Sequence, residues 1–123
     1  MSKAIGQKLV ENLANDDFAN LKALFADDIV FTAAAPEDTW CGKGKAQTIE
    51  ELRSFFDPDE TISGIISIEF GELADRYKLT YVLEGTEKSY GLFRYEHQAY
   101  YQVENNLIGE LRILCSGFYK PTG

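Results

Sequence analysis

One histidine, His97, stands in the middle of an alternating row. Phe93, Tyr95, His97, Ala99, Tyr101 and Val103 share one parity of the run Tyr90–Val103. An imidazole titrates near neutrality, so it can give or take a proton or orient a ligand oxygen. The tyrosines around it offer apolar bodies with polar tips, a lining that suits a flat, partly oxygenated molecule. Tyr77 and Tyr81 repeat the pattern on the preceding segment, and Trp40 adds an indole. This set predicts a pocket in which Trp40, Tyr77, Tyr81, Tyr95 and Tyr101 bind ligand. His97 is its candidate catalytic or ligand-orienting group. The same pattern also describes a core histidine bonded to a tyrosine hydroxyl, because acid–base catalysis needs a second group and the row names none.

Other chemistries find less support. Cys41 and Cys115 are far apart, and a reactive thiol needs a nearby base or helix N-terminus to lower its pKa. Cys115 falls on the inward parity and reads as a small core residue. One histidine and two distant cysteines give no metal-ligand spacing, and Gly42-Lys43-Gly44-Lys45 lacks the spacing of a phosphate-cradling loop. No metal and no cofactor is therefore expected. Asp27-Asp28 reads as a helix end and turn.

A chain of 123 residues with 45% hydrophobic and 26% charged residues reads as one globular domain, 1–123. Its net charge of −8 repels phosphate backbones and anionic lipid surfaces, so neither nucleic acid nor membrane is an expected partner. No apolar run approaches the roughly 20 residues that span a bilayer. Met1–Asn15 has no continuous apolar core and contains Glu11, so a secretion signal is not expected. Reduced thiols in the cytoplasm follow.

The elements that must position these groups can be read from periodicity. Ile5, Leu9, Val10 and Leu13 predict a helix over Ser2–Ala14. Asp16 or Asp17 caps a second helix carrying Phe18, Leu21, Leu24 and Phe25, ending near Asp27. Ile29–Thr32 reads as a short strand and Ala33–Gly44 as a loop. Thr48 and Glu51 fit a capping box for a third helix, with Ile49, Leu52, Phe55 and Phe56 as its stripe and Pro58 at its end. Ile62–Phe70, Arg76–Leu83, Tyr90–Val103 and Leu107–Phe118 read as strands in antiparallel hairpins. Helices first and strands last predict an α+β fold, with helices on one face of the sheet.

The turn at Glu104-Asn105-Asn106 admits two registers. A two-residue loop pairs Val103 with Ile108 and His97 with Leu114, placing Glu110 and Arg112 beside His97. A three-residue loop pairs Val103 with Leu107 and His97 with Ile113. Leu107, Gly109, Leu111, Ile113 and Cys115 then join the His97 face. The second matches apolar with apolar on both strands and is preferred.

Leu24-Phe25-Ala26-Asp27-Asp28, Cys41-Gly42-Lys43-Gly44-Lys45 and Tyr101–Ile108 carry a resemblance that covers nearly the whole chain. The sequence resembles the nuclear transport factor 2-like superfamily, in its SnoaL-like and ketosteroid-isomerase-like branch. The resemblance implies a cone-shaped curved antiparallel sheet wrapped around three N-terminal helices, with a cavity at one end. It also implies a homodimer through the outer sheet face. Carried over by position, the isomerase base falls on Ala33, its helix-one tyrosine on Leu9 and its protonated aspartic acid on His97. The base and one donor are missing, so that isomerisation is not expected. The Asp-Arg-Asp arrangement of the superfamily's epoxide hydrolases is absent too.

Two function classes follow. One is a binding protein or degenerate enzyme whose aromatic cavity takes a small hydrophobic molecule with an oxygen function. The other is a SnoaL-like acid–base enzyme using His97 on a cyclic or polyketide-like substrate. A dimeric interaction module is a third, weaker reading.

Overall fold

The computed structural model describes residues 2–56, 60–89 and 91–119, the side chains of 2 and 117–119 apart. The order is α1 (Ser2–Ala14), α2 (Phe18–Lys22), β1 (Phe25–Ala35), β2 (Asp38–Lys43), α3 (Lys45–Phe55), β3 (Glu60–Leu73), β4 (Arg76–Glu87), β5 (Gly91–Glu104) and β6 (Leu107–Tyr119). The architecture is α+β: three helices packed against one curved six-stranded sheet. Pro58 and Tyr90 lie outside the described residues.

The strands run in the order β2-β1-β6-β5-β4-β3. Consecutive strands from β3 to β6 form antiparallel hairpins, as alternation and short turns require. The sheet is nevertheless mixed, because β1 pairs with β6 in parallel. Hairpin signals report only neighbours in sequence, so an all-antiparallel expectation could not see this long-range pair.

Three local expectations are corrected. The second helix stops at Lys22, short of Asp27: Asp17 caps it through the N–H of Asn20, but Phe25 already belongs to β1. There Phe25, Ile29, Phe31 and Ala33 point inward. The segment 33–44 is a hairpin: Pro36-Glu37 turns the chain, Ala35 pairs with Asp38, and β2 returns along β1. Thr48 is not a cap. Gly44 adopts φ +82°, which frees the helix to start at Lys45, and the side chain of Gln47 accepts the Lys43 N–H at 2.8 Å. Thr48 is buried inside the helix instead.

The last hairpin starts in the two-residue register and then slips by one residue, which restores the inward parity of the three-residue register but none of its pairs. Asn105 and Asn106 both have positive φ, which builds a two-residue turn pairing Val103 with Ile108. Gly109 is then an extra residue, and from Gln102–Glu110 onward the parity switches. His97 therefore pairs with Cys115, neither Ile113 nor Leu114, and Arg112 faces Tyr100. Leu111 and Ile113 join the buried face as expected, but at the tip Ile108 takes the place expected for Leu107. Glu110 and Arg112 lie on the outer face, where Glu110 accepts two bonds from Arg76 at 2.7 and 3.0 Å. A second bulge follows His97: β6 carries one extra residue before Phe118 pairs with Tyr95, and the Glu96 N–H donates to Ser116 Oγ. Bulges bend and twist a strand, so the sheet curls around the helices close to the histidine.

Candidate functional site

Strand parity places Phe93, Tyr95, His97, Ala99 and Tyr101 on the buried face of β5. His97 is 1% exposed. Directly across on β4 stands Tyr81, whose hydroxyl lies 3.0 Å from His97 Nδ1. Tyr95 stacks on the imidazole at 4.7 Å between ring centres. Phe55 and Phe56, at the end of α3, lean over it at 5.2 and 5.8 Å.

The hydrogen bond sets the tautomer. Burial drives the Tyr81 phenol far above its usual pKa, with a smaller contribution from Cys115, so its proton stays on. Among the described residues the hydroxyl has no second hydrogen-bond partner. It therefore donates to Nδ1, and the imidazole carries its own proton on Nε2. Burial also pushes the His97 pKa down to about 3. The ring is neutral at pH 7, with Nε2–H as a donor.

That ring forms part of the wall of a cavity of about 360 Å³, a size at the lower end of small-molecule sites. Phe55, Phe56, Tyr95 and Cys115 complete the deeper wall. Pro36, Glu37 and Asp38 of the β1–β2 turn, with Glu60 at the start of β3, form the rim. The arrangement offers apolar faces, one neutral donor at depth and carboxylates outside.

The sequence-predicted residues divide between two places. Tyr81, Tyr95 and His97 come together. Tyr81 is fully buried and is not among the lining residues. Trp40 packs edge-on against Phe55 at 4.9 Å, behind the wall. Tyr77 and Tyr101 pair with each other at 5.6 Å further along β4 and β5, beside Lys3 and Phe70 in a separate crevice of about 120 Å³. Ala33 and Leu9 are buried. Periodicity had marked Phe55 and Phe56 only as a helix stripe. Glu37 and Asp38 sit in a segment whose proline and glycines read as loop; Cys115 packs half-buried against the core, as its parity predicts, and also lines the cavity. Among the described residues no group of three or more His, Cys, Asp or Glu side chains is placed to hold a metal ion. No described helix is long and apolar enough to cross a membrane.

No protein-family model matches the chain, and no curated protein does. Solved structures do match. A Bacillus subtilis protein assigned as an isomerase superposes with a TM-score of 0.76 at 16% identity, covering 92% of this chain and 84% of its own. A Mesorhizobium loti protein assigned as a SnoaL-like polyketide cyclase gives 0.65 at 22% identity, covering 92% and 97%. A Catenulispora acidiphila protein of ketosteroid isomerase-like fold, solved in complex with trimethylamine, gives 0.73 at 16% identity, covering 91% and 85%. The fold is nuclear transport factor 2-like, as in these structures. Fold alone does not assign a reaction.

Proposed function

We propose that the protein binds a small, mostly apolar ligand carrying an oxygen function, with His97 Nε2–H donating to that oxygen. One observation carries the reading. A buried histidine has one ring nitrogen satisfied by Tyr81 and the other unpartnered among the described residues, on the wall of an aromatic cavity. A donor at that wall is available to the water or ligand that enters the cavity. A protein of ketosteroid isomerase-like fold solved in complex with trimethylamine supports reading this fold as one that takes small molecules. Tyr95 lines the site, Tyr81 orients His97, and Trp40 supports Phe55. Tyr77 and Tyr101 belong to the fold's other end.

The test is calorimetric titration with 2-naphthol, a flat probe with one oxygen. The wild-type protein binds it, and His97→Phe keeps the fold but binds about tenfold more weakly, the worth of one hydrogen bond. Equal affinity removes His97 from the site.

An acid–base enzyme acting through His97 on a cyclic or polyketide-like substrate has less behind it. A neutral ring with a pKa near 3 is a poor proton donor at pH 7, and Glu110 and Arg112 sit on the outer face. That outer face, with exposed Val30 and Leu114 among polar groups, suits a homodimer. Sedimentation equilibrium at micromolar concentration should give twice the monomer mass; a monomer contradicts the interface.

A further inference from the structure

The rim of the cavity has a chemistry that the wall does not explain. Glu37 and Asp38 occupy the β1–β2 turn at the mouth, and Glu60 stands on the other side of it. No lysine or arginine is among the described lining residues. Asp38 accepts the Thr39 N–H at 2.8 Å, and neither Glu37 nor Asp38 has a cationic partner among the described residues. Behind them stand the faces of Phe55, Phe56 and Tyr95.

Such a mouth concentrates negative potential over a low-dielectric recess, where field lines are focused. Aromatic faces add their own attraction for a cation through the ring quadrupole. Deeper in, His97 is neutral at pH 7 and adds no opposing charge. An anionic ligand meets repulsion at every step of entry, and a neutral one gains nothing from the rim.

We infer that the ligand is an organic cation: an apolar, aromatic-sized body with an ammonium group held at the mouth by Glu37, Asp38 and the faces of Phe55 and Phe56. Its oxygen acceptor reaches His97 Nε2. The inference rests on the proposed role of the cavity and adds the charge of what enters it. It assigns a function to the β1–β2 turn, which otherwise only connects two strands.

Three probes of one shape test it: 4-methoxyphenethylammonium, 4-methoxyphenethyl alcohol and 3-(4-methoxyphenyl)propanoate. All carry the same ring and methoxy acceptor and differ in head charge. Titrations of the wild-type protein should rank ammonium above alcohol by about fivefold, the scale of one exposed cation–π contact and one exposed ion pair. The carboxylate should bind weakest. The double variant Glu37→Gln, Asp38→Asn changes one turn residue and the exposed first residue of β2. It should lower ammonium affinity about threefold and leave the alcohol within about twofold. Alcohol bound as tightly as ammonium, or ammonium affinity untouched by the double variant, overturns the inference and leaves the cavity reading standing. Failure of all three probes to shift the His97 resonances overturns the cavity reading and the inference with it.

Discussion

The inner faces of β4 and β5 present tyrosines at both ends, and the helices treat the two ends differently. At the Tyr77–Tyr101 end, α1 comes down directly on the sheet. A Cβ at Gly6 would lie 2.3 Å from the Tyr101 hydroxyl oxygen, so glycine is what permits the approach. At the His97 end, α3 finishes and its last rings stand over the imidazole without filling the space. Two stretches with the same side-chain pattern thus become a tightly covered end with a crevice of about 120 Å³ and an open cavity of about 360 Å³. Strand parity decides which residues face inward; the element laid on top decides whether they pack or bind.

The largest expected effect follows from that contrast. Tyr101→Ala removes a fully buried ring from the tightly covered end and should cost about 3–5 kcal/mol in urea unfolding. Phe55→Ala removes a half-buried ring from a wall that already borders space and should cost roughly 1–2 kcal/mol. Equal losses would mean that the two ends are packed alike.

This contrast was only half legible in the sequence. The alternation of Tyr95, His97, Ala99 and Tyr101 identified the buried face, and the spacing of Ile5, Leu9, Val10 and Leu13 identified α1 to the residue. Neither pattern tells which helix covers which end of a strand, because that is settled by contacts distant in sequence. The rim was missed for a local reason: Pro36, Gly42 and Gly44 are turn and breaker residues, and they masked a short hairpin. The last hairpin held two honest signals in conflict, an Asn-Asn turn and an apolar match one residue out of step. The chain takes the Asn-Asn turn and, with Gly109 as a bulge, recovers the apolar face parity in a register that neither signal specified. A bulge adds one residue to one strand, and nothing in the composition around Gly109 announces it.

Acid sharpens the comparison further, because the buried His97 lies at the cavity end. In the fold, burial holds the His97 pKa near 3; in the unfolded chain it returns to about 6.5. Between these values the unfolded chain binds a proton that the folded chain lacks. Stability from this group is therefore present above pH 6.5, falls as the pH drops below it, and stops falling near pH 3. The slope reaches about 1.4 kcal/mol per pH unit. His97→Phe lacks this loss. From about pH 7 to about pH 5, denaturant unfolding should move the stability difference by roughly 2 kcal/mol in favour of the variant. A difference that stays constant would place the histidine in water.

The central claim is that His97 is a buried, neutral imidazole whose Nε2–H is offered to the cavity. Long-range nitrogen–proton correlation of the imidazole, followed from pH 8 to pH 5, tests it most directly. The account predicts a protonated Nε2 and an unprotonated Nδ1 throughout, no titration in that range, and a shift of Nε2 alone when 2-naphthol is added. A ring that titrates near its ordinary value of 6.5, or that carries its proton on Nδ1, would contradict it.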